Sequence, residues 1–200
     1  MCGRYTLFTD KLDDLDYIFS KIDDPKKEKM KTGEIFPSNI APVLLCETNE
    51  MKPQLMIWGF PGFKNKQLII NARAETASEK PMFRAAMQSR RCVIPSTGFF
   101  EWDSEKRKFL FNMPDSNILY MAGLYSIFDD ENRFVILTKA ANDSISRIHN
   151  RMPVVLEPIH IRNWLTDRDS AQSILSNEGP KLISKPWDNQ DISEQCEIKM

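Results

Sequence analysis

An α+β fold, built around a curved, mostly antiparallel sheet or barrel-like core with peripheral helices, is what this sequence predicts. Three observations carry that reading. Short β-branched and aromatic runs bounded by turn residues recur along the chain, helical patterns interrupt them irregularly, and neither regular βαβ spacing nor a glycine-rich phosphate loop is present. With 200 residues and 42% apolar side chains, the chain is expected to form one domain over 1–200. Only 189–200 is polar enough to fray.

The elements follow in order. Thr9 precedes Leu12, Leu15, Ile18, Phe19 and Ile22 at three- and four-residue steps, which predicts a capped amphipathic helix over 10–22. After the lysine-rich surface of 26–31, Pro37, Pro42 and Pro53 punctuate the runs Val43–Cys46 and Leu55–Trp58, which read as strands. Leu68–Ile70, Cys92–Ile94, Phe99–Trp102, Phe109–Phe111, Ile118–Met121 and Phe134–Leu137 continue the strand pattern. Helices are predicted at 81–90, 142–148, 158–166 and 169–176. No internal repeat, low-complexity tract or linker divides the chain.

Composition narrows the function classes. No run approaches the roughly 18 apolar residues of a membrane span, and the first residues lack a basic region followed by an apolar one, so a soluble, cytoplasmic protein with no membrane partner is expected. Cys2, Cys46, Cys92 and Cys196 form no CxxC pair, which argues for reduced thiols rather than a zinc knuckle or disulfide scaffold. Net charge is −1, yet residues 64–108 hold ten Lys or Arg against five acids. Charge of this kind suits either a nucleic-acid surface or a solvated face with local ion pairs.

Cys2 is the first candidate for chemistry. A small residue after Met1 permits removal of that methionine, leaving a 1,2-aminothiol with an amine of reference pKa about 8 and a thiol of about 8.5. Its natural electrophile is an aldehyde, which the amine converts to an imine before the thiol closes a five-membered thiazolidine. Three further segments group polar side chains at strand ends: Asn71 to Thr76, Arg91 to Trp102, and Ile148 to Val154.

In these blocks the sequence resembles the SOS-response-associated peptidase family. Met-Cys-Gly-Arg at the start, Asn-Ala-Arg-x-Glu-Thr from Asn71, Arg-Cys-x-x-Pro-x-x-Gly-Phe-x-Glu-Trp from Arg91 and His-x-Arg-Met-Pro from His149 stand intact and in order. Trp58-Gly59, Ala122-Gly123-Leu124 and Leu137-Thr138 extend the likeness over residues 1 to about 165. The chain departs from the family at Phe60 to Phe63, where the usual tryptophan-rich segment is shortened, and from Lys185 onward.

The resemblance implies that Cys2 is the nucleophile and that Asn71, Glu101 and His149 complete the site. Asn71 can donate and accept at once, fixing the terminal amine or a sugar hydroxyl. Glu101 follows two phenylalanines, surroundings that favour a proton-carrying carboxyl. Histidine has a reference pKa, about 6.5, that suits opening a sugar hemiacetal, the use implied for His149. Arg4, Arg73 and Arg151 are expected at phosphates, with salt bridges to Glu75 or Asp143 as the competing use. Trp58, and with less family support Phe63, Met82 and Phe83, are expected to stack on bases, with the core as the competing place. His160, Cys46, Cys92 and Cys196 are assigned no chemistry.

The expected function is binding of single-stranded DNA and covalent capture of abasic sites as a thiazolidine, with no metal or organic cofactor and no obligate protein partner. Nucleoid association follows when the protein is on DNA. Two rivals remain at this point: a thiol peptidase using the same residues, with self-removal of Met1 as its minimal form, and a DNA-binding module without chemistry.

Overall fold

The computed structural model describes residues 2–8, 13–62 and 67–187. The helix cap expected at Thr9, the helix start at 10–12, Phe63, Lys64, Lys66 and the tail 189–200 lie outside the described residues. The chain runs through β1 (Tyr5–Leu7), α1 (Asp13–Ser20), a short 3₁₀ turn at Lys27–Lys29, β2 (Gly33–Ile35), β3 (Ile40–Glu47), β4 (Glu50–Trp58), β5 (Phe60–Pro61), β6 (Leu68–Ile69) and β7 (Asn71–Arg73). Then come α2 (Ala74–Ala77), α3 (Pro81–Ser89), β8 (Arg91–Ser96), β9 (Gly98–Trp102), β10 (Lys108–Asn112), β11 (Leu119–Phe128) and β12 (Glu131–Ala140). The described chain ends with β13 (Arg151–Pro153), β14 (Val155–Leu156), α4 (Pro158–Thr166), α5 (Arg168–Ser176) and β15 (Ile183–Pro186).

Strands β12, β4, β3, β8 and β11 pair in that order, and β11 pairs back to β12, so five strands close a barrel. Pairing is antiparallel except where β12 meets β4 and β7. Tight two-residue turns make the two long hairpins. Thr48 and Asn49 join β3 to β4, and Asp129 and Asp130 join β11 to β12, each residue at positive φ as a type I′ turn requires. A second sheet, ordered β15-β10-β9-β1-β2, packs against the barrel, and Cys2 lies just ahead of its strand β1.

Strand alternation divides the core in two. Cys92, Ile94, Met121, Phe134 and Ile136 point to one side, where they join Tyr5, Leu7, Ile35, Phe99 and Phe111 of the second sheet. Their neighbours Val93, Ala122, Leu124, Val135 and Leu137 point to the other side, under α2, α3, α4 and α5. Gly123 is required by this packing, because a Cβ there would lie 2.4 Å from Ile94 and 2.8 Å from the Val135 carbonyl.

Arg91 ties the helical side down. Its buried guanidinium donates to the carbonyls of Met87 and Gln88 at the end of α3 and of Trp164 and Leu165 at the end of α4. The two helices thereby share one positive cap at their negative ends.

One expected helix is absent. Residues 143–148 form successive turns instead, because Asn142 Oδ1 takes both the backbone N–H and the hydroxyl of Ser144. Side-chain bonds of this kind compete with a helical ladder. The turns end by delivering His149, whose N–H donates to Ile145 O at 3.0 Å.

Candidate functional site

Four residues far apart in sequence meet where the second sheet joins the barrel. β1 lies between β2 and β9, with Tyr5 opposite Phe99 and Thr6 opposite Gly98. The Phe100 N–H donates to Arg4 O at 2.9 Å, carrying that pairing on toward Cys2 and Glu101. Asn71, first residue of β7, donates from Nδ2 to the Cys2 carbonyl at 2.9 Å. That bond fixes the backbone of a residue which, beside a chain end, would otherwise fray.

Cys2 is buried, and its thiol donates weakly to Arg4 O at 3.8 Å. Burial and then the charge of Glu101 push the thiol far above its ordinary range, so a standing thiolate is disfavoured and ionisation needs a base nearby. Glu101 is itself buried, and loss of hydration raises its carboxyl above the usual range. It can therefore carry a proton nearer neutrality than a surface glutamate would.

His149 faces Glu101, with Nε2 3.8 Å from Oε2. The other ring nitrogen sits between two backbone groups of Arg151, accepting from its N–H at 3.0 Å and lying 3.1 Å from its carbonyl oxygen. A neutral ring that accepts at Nδ1 carries its proton on Nε2, the side of Glu101. A charged ring can turn the same contact around and donate from Nδ1 to the carbonyl. The backbone of Arg151 thus serves either protonation state without moving the imidazole.

The residues expected to bind DNA divide into three cases. Arg73, at the end of β7, is exposed, and its side chain has no hydrogen-bond or ion-pair partner among the described residues. Arg4 is engaged: its Nη1 meets Glu34 at 3.2 Å, and its guanidinium lies 4.1 Å from the Phe36 ring centre and 5.4 Å from that of Trp102. Lys108 also meets Glu34, at 2.5 Å. Arg151 turns its fork inward, donating to Glu75 at 2.5 and 2.9 Å and to Thr138 O at 2.6 Å. The competing salt bridge, to Glu75 rather than Asp143, is the one that forms.

Trp58 corrects the expectation of base stacking. Its ring is wholly buried, stacked on Phe134 at 6.3 Å, tilted against Tyr5 at 5.2 Å, and its Nε1 donates to Ile70 O at 3.0 Å. No ring face is left for a base. Its place is structural, since the Ile70 carbonyl it holds immediately precedes Asn71. Phe83 is likewise buried, against Phe60 at 6.1 Å, whereas Met82 is half-buried. Sequence reasoning missed Glu34, Phe36 and Lys108, whose grouping depends on strands β2 and β10 meeting across the second sheet.

A family model described as SOS response associated peptidase (SRAP) matches residues 1–193. The abasic site processing protein YoaM of Bacillus subtilis is 33% identical over 212 residues, covering 96% of this chain and 88% of that protein. The abasic site processing protein YedK of Escherichia coli is 32% identical over 186 residues, covering 86% and 82%. A crystal structure of a Bacteroides thetaiotaomicron protein superposes with a TM-score of 0.75 at 23% identity, over 96% of this chain and 94% of that one, a likeness of fold.

Proposed function

The chain belongs to the SOS response associated peptidase family, and from that membership and the geometry around Cys2 we propose that it processes abasic sites in single-stranded DNA by forming a thiazolidine with them. The observation that carries the reading is the setting of Cys2. Asn71 holds its backbone, and a buried carboxyl paired with an imidazole lies beside its thiol.

In this reading the functional chain begins at Cys2. Its free amine adds to the aldehyde carbon of the ring-opened sugar, giving a carbinolamine. Protonated Glu101 donates to the departing hydroxyl, water leaves, and an iminium remains. The thiol then gives its proton to the Glu101 carboxylate while sulfur bonds to the iminium carbon and the π pair settles on nitrogen. One aldehyde and one aminothiol yield one thiazolidine and one water. His149, with Nε2 directed at Glu101, exchanges the proton with solvent and helps open the cyclic hemiacetal. Arg73, uncommitted and at the strand end that begins with Asn71, supplies a phosphate contact.

Intact mass after incubation with an abasic single-stranded oligonucleotide tests this. The parent should lack Met1 and gain the mass of the DNA less one water, in a bond that survives heating. Cys2→Ala should give only an imine that borohydride traps. Glu101→Gln and His149→Ala should form the stable adduct about 10²- to 10⁴-fold more slowly. A thiol peptidase would instead leave no DNA mass on any of these proteins, and active protein retaining Met1 would contradict the mechanism.

A further inference from the structure

The buried enclosure around Cys2 holds one polar group that the reaction as described does not use. Tyr5, three residues on and first in β1, has no exposed surface, and its hydroxyl finds no hydrogen-bond partner among the described residues. A hydroxyl buried in that way is costly, and each such case in a native fold calls for a physical reason. Phenylalanine would fill the same space without the cost.

The position of the ring supplies a reason. Tyr5 packs 5.2 Å from Trp58, Trp58 Nε1 holds the Ile70 carbonyl, and the next residue, Asn71, holds the Cys2 carbonyl. The Tyr5 ring is therefore linked, through Trp58 and Asn71, to the contacts that hold the Cys2 backbone. Burial and the neighbouring Cys2 and Cys92 sulfurs oppose its ionisation, so it keeps its O–H at every physiological pH.

At rest the Cys2 sulfur needs only an acceptor, and Arg4 O provides it. Once the thiol proton leaves, that carbonyl has nothing to donate, and a negative sulfur in an apolar enclosure requires a donor. Resting on the thiazolidine reading above, we infer that the Tyr5 hydroxyl is a further functional group of this site, donating a hydrogen bond to the Cys2 sulfur as it swings off Arg4 O and attacks the iminium carbon. The phenol proton stays on oxygen throughout. The thiol proton still goes to Glu101, and the bond made and the electron pair moved are those already given. Imine formation, which uses the Cys2 amine and Glu101 but not the thiol, does not depend on Tyr5.

Tyr5→Phe separates these steps. The protein and an abasic single-stranded oligonucleotide are mixed, the imine is sampled by borohydride trapping, and the ring by survival of the adduct on heating, each across pH 5 to 9. Loss of one hydrogen bond to a charged atom should slow ring closure by about 10- to 100-fold. The rise of its rate with pH should move to higher pH, and the trapped imine should appear at the parental rate. Thermal stability should be unchanged or higher, because a buried group without a partner has been removed. Ring closure at the parental rate and pH profile would overturn the inference, as would a variant of lower Tm that slows both steps alike. If the parent itself forms no heat-stable adduct, the reading of the site falls, and this inference falls with it.

Discussion

Replacing Trp58 with leucine tests whether the site is held from below or whether that tryptophan meets DNA. The structure buries the whole indole, with Tyr5 and Phe134 against its rings and one hydrogen bond to Ile70 O. Leucine refills part of the space. From the roughly 3–5 kcal/mol typical of truncating a buried tryptophan to alanine, about 2–3 remains for the cavity. The lost hydrogen bond adds about 1 kcal/mol rather than more, because Ile70 O keeps a second donor in the Ile136 N–H at 3.1 Å. The sum is about 3–4 kcal/mol. With a urea slope of about 2 kcal/mol per M, the unfolding midpoint should fall by about 1.5–2 M. Circular dichroism in urea gives the midpoint, and fluorescence anisotropy without denaturant gives affinity for a single-stranded oligonucleotide. The core position predicts affinity within about threefold of the parent while the protein remains folded. Base stacking predicts the reverse, about 1–3 kcal/mol of binding lost per base and a midpoint that barely moves. A midpoint shift under about 0.5 M together with tenfold weaker binding would refute the burial argument.

Other substitutions address separate parts of the molecule. Arg91→Met should cost about 3–5 kcal/mol in urea unfolding, since four carbonyls at two helix ends lose their shared donor; a change under about 1 kcal/mol would show that the caps are dispensable. Arg151 holds the Glu75 carboxyl down to about 2, so this pair stabilises the fold fully above the ordinary carboxylate range and loses its effect as pH falls from about 4.5 toward 2. Glu75 is nearly half exposed, which limits the contribution to about 1 kcal/mol, and Glu75→Gln should flatten this part of the stability profile. Arg73→Ala should weaken single-strand binding across sequences and reduce its salt dependence by about one counterion; unchanged binding at several salt concentrations would withdraw the phosphate role. Glu34→Gln should do the opposite and tighten binding at low salt, by releasing Arg4 and Lys108 from their shared carboxylate.

Local pattern was enough for the long elements. β3, β4, β8, β11 and β12 carry continuous apolar runs bounded by turn residues, and α3, α4 and α5 begin within about a residue of their predicted starts, because proline or a capping aspartate fixes each entry. The strands β1, β2, β7, β13, β14 and β15 were not legible. Each has two to four residues, too few for periodicity, and exists because a distant partner pairs with it. A barrel-like core was expected from the pattern, but which strands close it was not legible, for the same reason. In the site, the motifs singled out Cys2, Asn71, Glu101 and His149, and folding brings Asn71 to Cys2 and His149 to Glu101. The arginines and Trp58 were harder, because residue type shows what a side chain can do, not what it meets. Arg151 finds its carboxylate 76 residues away, and Trp58 differs from an exposed tryptophan only in what folds over it.

On the proposed reading, the separation of the four site residues also sets when Cys2 becomes competent. Cys2 is made at the outset, whereas His149 follows 147 residues later, on the order of 10 s at ordinary rates of synthesis. The pairings that join them, β1 with β9 and β7 with β12, are long-range contacts of the kind that form late in folding. Until they form, the thiol has neither the carboxyl that can take its proton nor the amide that holds its backbone. A nascent, truncated or misfolded copy would then carry only an unassisted N-terminal cysteine, and its reactivity toward the aldehydes of the cell would be no greater than that of any other exposed 1,2-aminothiol.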